Sequence, residues 1–427
     1  MRKTIKNSLL NDLHLRAGIV FLVVCCLIFS CSKSQESTEL SETPQTGVFE
    51  YPHHPQRIAI KEIFRYGKEV GSDEEMLHAV NDIAIGPQGY IYVCEFRGRR
   101  VFKLDQAGNY LYTFGAVGQG PGEYQGPRKI CVDDERLYLQ ELAGDRITAY
   151  NTTGELSGTY RMLKLPRIRD LVTSIGTDRI LAMHMDDFDE KSNVLRKVSL
   201  WLLDLVGEEQ SLMSEITYPV SDYIPIEGTT SRVNRPYSDL GELGLPCWGV
   251  HLSEKRLIEG HFSFKGFTVN VREIPSGKLL KSIKINKSPL PVKKENKENF
   301  QDFVQDFYAN RPRGEMIRKM APYVQFPKTL PFYWRFFVDS VTGLVWFEIF
   351  KDPYGRFEVP IWQRGPIDED AKNFEYLVVS IEKGIVAEGT IPFRIFDVRD
   401  NVIIGVHETL EGFQTVVEAR ASFVSAP

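Results

Sequence analysis

Six apolar runs of the sequence each end in a side chain that can bind a metal ion or transfer a proton. These runs are IYVCE, LYLQE, ILAMH, LIEGH, LVWFE and IIGVH. Three carboxylates and three imidazoles on one ring could hold a divalent metal or act as general acid and base. If the runs are equivalent strands of a repeat, their last residues form that ring: Glu95, Glu141, His184, His261, Glu348 and His407.

An ion pair is the alternative role for two of these glutamates. Arg100 and Arg146 follow Glu95 and Glu141 by five residues, which predicts that each pair braces a loop. No arginine follows the three histidines at that spacing. A metal site, if the chain has one, is therefore expected to use His184, His261, His407 and Glu348.

A second candidate set is rich in arginine and tryptophan and lies where innermost strands of the repeat are expected to begin. Arginine suits bidentate capture of carboxylate or phosphate, and tryptophan offers a flat stacking face. Such a set could bind an anionic ligand, a sugar or a peptide terminus, or it could form ion pairs and packing contacts between repeats. We call it the top funnel: Arg128, Lys129, Arg169, Trp248, Trp334, Arg335 and Arg394.

An internal repeat determines the architecture that would position both sets. The segments that begin at Asp82 and Lys129 match at a spacing of 46 residues, in Tyr92 and Tyr138 among others. Each unit has four short alternating runs separated by turns, and six such units can be traced. Four-stranded units of this length predict an all-β fold, a six-bladed β-propeller.

Two further features belong to this fold prediction. The sixth unit ends after its third strand, and the run RIAIKEIF at 57–64 is expected to supply the missing outer strand and close the ring. Between blades 4 and 5, the apolar spacing at 293–320 predicts an amphipathic helix, either packed on the propeller or acting as a lid.

The first two repeats resemble the NHL-type six-bladed propeller lipoproteins of Bacteroidales. The resemblance rests on IYV followed by an acidic residue, an Arg five positions later, a Gly turn, and the stretch FGAVGQGPGEY. It implies a secreted, lipid-anchored propeller without a settled biochemical activity.

Long insertions indicate which face of the propeller carries function. They fall at 185–196, 215–246, 287–330 and 351–373, all in loops between second and third strands or between blades. These loops lie on one face, conventionally the top, where long loops usually bind partners. The glycine-rich stretch 114–130 precedes a strand and not a helix, so we expect it to be a connection that positions Arg128 and Lys129, and not a phosphate loop.

The N-terminus reads as a targeting segment. A basic stretch, a short apolar run and the sequence LIFSCSKS predict a lipoprotein signal peptide at 1–30 with lipidation of Cys31. A polar stretch to residue 55 is expected to be a flexible tether, and 56–427 the propeller. The predicted location is the bacterial cell envelope, lipid-anchored in the outer membrane, with the periplasmic and the surface side both left open.

Composition and motifs narrow the function. The formal net charge of −5 argues against nucleic-acid binding. No serine-hydrolase, HExxH, CxxC or P-loop pattern supports catalysis. We favour a noncatalytic binding module without cofactor, whose top face holds an anionic or glycan ligand or an envelope protein. The alternative is a lactonase-like hydrolase or lyase that uses a divalent metal at the top of the channel.

Overall fold

The protein is seen here as a computed structural model. It describes residues 44–52, 55–141, 146–161, 168–185, 196–218, 223–225, 232–234, 247–263, 266–286, 333–349, 373–409 and 412–425, together with isolated positions between 291 and 318. The chain divides into two compact units, 1–44 and 45–427. The predicted signal peptide and Cys31 lie outside the described residues.

The first three blades are four-stranded antiparallel sheets, and the second and third strands of blades 1 and 2 are buried almost throughout. Blade 1 consists of β3 (Val80–Ile85), β4 (Ile91–Glu95), β5 (Arg100–Leu104) and β6 (Tyr110–Phe114). Blade 2 consists of β9 (Pro127–Val132), β10 (Arg136–Glu141), β11 (Arg146–Asn151) and β12 (Leu156–Arg161). Blade 3 consists of β13 (Ile168–Gly176), β14 (Arg179–Met185), β15 (Arg196–Asp204) and β16 (Glu209–Tyr218).

The last three blades repeat this arrangement. Blade 4 consists of β19 (Cys247–His251), β20 (Arg256–Ser263), β21 (Gly266–Glu273) and β22 (Leu279–Asn286). Blade 5 consists of β23 (Tyr333–Val338), β24 (Val345–Ile349), β25 (Phe374–Ser380) and β26 (Gly384–Ile391). Blade 6 takes β27 (Arg394–Arg399), β28 (Val402–Glu408) and β29 (Gln414–Val424) from the C-terminus. The protein is a six-bladed β-propeller, as the sequence predicted.

The outer strand of blade 6 comes from the N-terminal part of the chain. Strand β2 (Gln56–Tyr66) pairs antiparallel with β29 along its whole length. Two further pairs, Gln56 with Ala387 and Arg57 with Glu388, join β2 to β26 of blade 5. The predicted closure of the ring by the run at 57–64 is therefore confirmed.

One additional strand lies upstream of this closure. Strand β1 (Gln45–Glu50) pairs parallel with β22 and makes blade 4 five-stranded. Phe49 and Tyr51 pack against the buried cluster between blades 4 and 5. Part of the segment that the sequence analysis assigned to the tether is thus a strand, because its few apolar residues find a hydrophobic site on the rim.

The core is divided among the seams between blades. Six buried hydrophobic clusters are found in the described part of the chain, and each joins two neighbouring blades. The cluster between blades 6 and 1, for example, contains Phe64 and Val416 from one side and Ile83 and Phe102 from the other. The closing seam between blades 6 and 1 therefore has a buried hydrophobic cluster of its own, as the other five seams do.

The connections agree with the predicted positions of the insertions, although most of their residues are not described. Two short pairs lie in them, β7 (Ala116–Val117) with β8 (Glu123–Tyr124), and β17 (Tyr223–Pro225) with β18 (Arg232–Asn234). The predicted helix at 293–320 lies mostly outside the described residues, and eight of the isolated residues that are described there, among them Lys294 and Gln305, are helical. Within the described residues, no helix is long and apolar enough to cross a lipid bilayer.

Candidate functional site

The sheet register brings both candidate sets to the same edge of each blade. Innermost strands begin opposite the ends of the second strands, as in the pairing of Ile168 with His184 and of Pro127 with Glu141. Blade-to-blade connections and the loops after second strands share this edge, because neighbouring strands are antiparallel. We call it the top edge. The acids, histidines and arginines predicted from the sequence therefore belong to one end of the propeller.

A β-bulge interrupts the innermost strand at the top edge in four blades. The residue that the pairing skips lies between Val80 and Asp82 in blade 1, and its equivalents follow in blades 2, 3 and 5. A bulge leaves one residue outside the ladder and redirects its side chain. The skipped residues are Asn81, Arg128, Arg169 and Trp334.

Two adjacent cations of blade 2 make ion pairs with both neighbouring blades. A guanidinium nitrogen of Arg128 lies 3.1 Å from Oδ1 of Asp170 in blade 3, and Lys129 Nζ lies 3.0 Å from Oδ1 of Asp82 in blade 1. Their side chains keep 31% and 34% of their surface exposed. Burial disfavours the ammonium of Lys129, but Asp82 and Asp170 outweigh it and raise its pKa. Lys129 is therefore charged, surrounded by protein and still in contact with solvent.

A second charged group joins blades 5 and 6. Glu348 accepts a hydrogen bond of 2.9 Å from Arg335 Nε and one of 3.4 Å from Arg394. Arg335 also donates to the carbonyl of Ile395 at 2.6 Å. Burial opposes ionisation of Glu348, yet the two guanidinium groups dominate and lower the pKa of the carboxyl. Glu348, proposed above as a metal ligand, is thus bound by two arginines.

Blade 4 holds a buried acid that the sequence analysis missed. Glu259 is fully buried, and its Oε2 accepts hydrogen bonds from Ser214 and, at 3.1 Å, from Nε1 of Trp248. Asn270 Nδ2 donates to Oε1 at 3.2 Å. Trp248 is itself only 8% exposed, so its ring faces protein. The signal was the acid of LIEGH, which stands in an apolar run two residues before His261.

The histidines are not brought into a metal site by the described residues. His184 is buried beneath the end of β14, and His407 is half-buried in β28. The side chains of His261, Arg169 and Trp334 are outside the described part, although their backbone lies in strands. Among described side chains, no group of three or more His, Cys, Asp or Glu could hold a metal ion.

The predicted ion pairs of blades 1 and 2 are present and hold loops. Arg100 contacts Glu95 and donates to the carbonyl of Met76 at 2.8 Å. Arg146 Nε donates to Glu141 at 2.8 Å, and another nitrogen of the same guanidinium donates to the carbonyl of Glu123 at 2.9 Å. These two glutamates therefore brace the backbone beside the top edge.

The glycine-rich connection leads directly to the bulged cations. It runs from Phe114 at the end of β6 to Pro127 at the start of β9 without a helix. Tyr124 fixes it to blade 1, donating to the carbonyl of Phe114 at 2.8 Å and accepting from the amide of Val101 at 2.9 Å. Asn81 donates to the carbonyl of Arg128. The expectation of a positioning arm agrees with these contacts.

Comparison with known proteins identifies the fold. A family model described as "6-bladed beta-propeller" (DUF5128) matches residues 69–193, which include blades 1 and 2. No curated protein matches the sequence. The family model and the sheet topology agree on a β-propeller.

Three of the similar solved structures come from bacteria. A member of the DUF4221 family from Bacteroides vulgatus has 13% identity and a TM-score of 0.48, over 87% of this chain and 100% of its own. A protein from Bacteroides fragilis that is named only as exported has 8% identity and a TM-score of 0.46, over 89% and 100%. A gluconolactonase from Xanthomonas campestris has 11% identity and a TM-score of 0.38, over 86% and 97%.

Proposed function

We propose that this propeller is a noncatalytic binding module of the cell envelope that captures an anionic ligand, such as an acidic glycan, at the top edge of blade 2. The observation that carries the proposal is the adjacent pair Arg128 and Lys129. Both are charged, both stand at the start of an innermost strand, and both keep about a third of their side-chain surface exposed.

The donors of this pair exceed what their protein partners use. A guanidinium has five N–H donors and an ammonium has three. Among the described residues, Arg128 pairs with one carboxylate, that of Asp170, and Lys129 pairs with one, that of Asp82. The remaining donors can bind carboxylate or sulfate oxygens of a ligand without breaking either ion pair. The bulge at Arg128 supports this role, because it turns a side chain out of the ladder.

The other cations of the top funnel are assigned a supporting role. Arg394 is only 13% exposed and Arg335 is 25% exposed, and both bind Glu348. Their shared carboxylate joins blade 5 to blade 6. We therefore divide the predicted set into a ligand-facing pair on blade 2 and a structural group on blades 5 and 6. A metal-dependent reaction stays the alternative from the sequence, and Glu348 would have to exchange two guanidinium partners to serve it.

Lipid anchoring at Cys31 is part of this proposal and rests on the sequence alone. The short apolar run followed by LIFSCSKS supports it. We expect metabolic labelling with a fatty-acid analogue to mark the wild-type protein and not Cys31→Ser. Labelling that persists in Cys31→Ser would refute the assignment of this cysteine.

The ligand proposal is tested by titration calorimetry with two anionic probes, oligogalacturonate and sulfated dextran, and with neutral dextran. We expect the unlipidated protein to bind an anionic probe with an affinity that falls as salt is added. Arg128→Ala should weaken this binding about tenfold, as for loss of a charged hydrogen bond. Lys278→Ala, which removes an exposed cation in the turn between β21 and β22 at the opposite edge, is the matched control.

Each outcome decides the question. Equal weakening by Lys278→Ala would indicate nonspecific attraction and contradict the site. Failure of both anionic probes to bind the wild-type protein at millimolar concentration would overturn the assignment of an acidic glycan. Tight binding of neutral dextran that Arg128→Ala leaves unchanged would do the same.

A further inference from the structure

The seam between blades 6 and 1 contains a partly buried acid that ties the two blades together. Oδ2 of Asp397, on β27, accepts a hydrogen bond of 2.7 Å from the amide of Ile85 on β3. Asp82 makes the equivalent contact at the next seam, where its Oδ2 accepts from the amide of Ile130 at 2.9 Å. The same backbone tie therefore links blade 6 to blade 1 and blade 1 to blade 2.

The two aspartates differ in their cations. Lys129 neutralises Asp82 through its ion pair, whereas Asp397 has no ion pair with a lysine or arginine within the described residues. Its second contact is a hydrogen bond of 2.8 Å from the amide of Val398 to Oδ1. The two amide donors favour the carboxylate form of Asp397, whereas desolvation of a carboxyl that has no cation partner among these residues favours its protonated form, and desolvation is the larger effect.

A second acid faces the same seam. Glu418 of β29 is 6% exposed and lies opposite Phe64 on one side and Ile404 on the other. Alternate residues of a strand share a face, and Val416 belongs to the cluster between blades 6 and 1. Glu418 therefore points toward blade 1. Its Oε2 is buried and has no hydrogen-bond partner among the described groups.

The charged groups that surround these acids do not compensate them. Around Asp397 they are Asp82 on β3, which opposes ionisation, and Arg399 on its own strand, which favours it and donates to Ser340 Oγ at 3.3 Å. Burial is the largest effect, and it raises the pKa of Asp397 to about 7.

Around Glu418 the nearest cation is Arg420 on the same strand, which donates to the carbonyl of Asp400 at 3.4 Å. On the opposing β2, Glu62 and Arg65 bind each other at the surface. Burial raises the pKa of Glu418 to about 7 despite Arg420.

We infer that the closing seam of the propeller is a pH-sensitive latch, held shut by protonated Asp397 and Glu418 and loosened when both ionise. The direction follows from linkage. A carboxyl whose pKa is higher in the folded than in the unfolded protein stabilises the fold below its unfolded pKa, and this contribution is lost as the pH rises through about 7. Asp82 at the next seam is paired with Lys129.

Hydrogen exchange of the full soluble chain, at about pH 5.5 and about pH 8, tests the latch after correction for intrinsic exchange. We expect amides of β2 and β27 to open on the order of tenfold more at the higher pH for each acid that ionises. Amides of β15 in blade 3 serve as the internal reference. The double variant Asp397→Asn with Glu418→Gln should remove the pH difference at the seam.

Two results would overturn the inference. One is seam exchange in the wild-type protein that is the same at both pH values relative to β15. The other is a pH difference that the double variant retains. Glu62→Gln, which changes an exposed acid on the same strand pair, is the matched control and should keep the wild-type pH response. If the double variant fails to fold, Glu418→Gln alone is measured at β2 and should halve the logarithm of the pH effect.

Discussion

Replacement of Phe64 by alanine measures how strongly the N-terminal strand closes the ring. Phe64 is 8% exposed and lies in the cluster between blades 6 and 1, on a strand that pairs with β29 of blade 6. Removal of a buried phenylalanine costs about 3–5 kcal/mol in unfolding free energy. We expect the upper half of this range, because the ring fills a seam between two separately formed sheets that cannot collapse onto the cavity.

The assay is chemical denaturation monitored by tryptophan fluorescence. The dependence of the unfolding free energy on denaturant concentration is compared between variants. Ile63→Ala is the matched control, since Ile63 is the residue skipped by the β2–β29 pairing and is 44% exposed. It should change stability by less than about 1 kcal/mol. A loss below about 1 kcal/mol for Phe64→Ala, or equal losses for the two variants, would refute the idea that Phe64 locks the seam.

The turn between β5 and β6 of blade 1 lies against the ring of Phe64. Gly108 has φ of 83°, and a Cβ there would overlap the ring of Phe64. Gly108→Ala should therefore destabilise through backbone strain of about 1–2 kcal/mol and through this overlap. In a Phe64→Ala background only the strain remains, so the two changes should be less than additive. If the losses in unfolding free energy of the two variants simply added, the turn at Gly108 and the ring of Phe64 would not be in contact.

Two further changes probe other seams by the same denaturation assay. Glu348→Gln leaves Arg335 and Arg394 without their carboxylate and should cost about 2–4 kcal/mol, and an unchanged stability would contradict the role of this group in joining blades 5 and 6. Lys103 is 6% exposed, with Nζ 4.0 Å from the ring centre of Tyr90 and 3.1 Å from the carbonyl of Thr152 in blade 2. Lys103→Met should cost about 1–3 kcal/mol, whereas Lys278→Met should cost little.

The fold could be predicted from the sequence because the residues that recur in each repeat are ones that pack between blades. The spacing of 46 places Tyr92 and Tyr138 in equivalent strands, and both are buried between blades. The missing fourth strand of the last repeat predicted closure by β2. Strand β1 escaped prediction because its neighbours are polar, and it forms only where β22 offers an edge and the blade 4–5 cluster accepts Phe49.

The location of the site could be predicted from the sequence, but the ion pairs that its residues make could not. Polar residues at the starts of innermost strands indicated the top edge, but the partners of Arg128 and Lys129 are on the innermost strands of different blades, and sequence spacing does not encode these contacts. Glu348 matches Glu95 by its place in the sequence run, yet the β23–β24 pairing sets Glu348 opposite Arg335, whereas Glu95 lies opposite Val80. A bulge shifts the register of a strand pair by one residue. Residues at the same place in the sequence run therefore face different partners in different blades.

The parallel pairing of β1 with β22 determines how the propeller would bear a mechanical load. Gln45 pairs with Lys281 near the start of β22, and Glu50 pairs with Asn286 at the top edge. The chain thus enters the propeller at the edge opposite the candidate ligand site. A force on the residues that precede β1 acts along this strand and loads all of its hydrogen bonds with β22 in shear at once. A force perpendicular to the strand would break these bonds one at a time. A pull on the N-terminal end of β1 therefore loads this strand pair in shear, at the edge opposite Arg128 and Lys129.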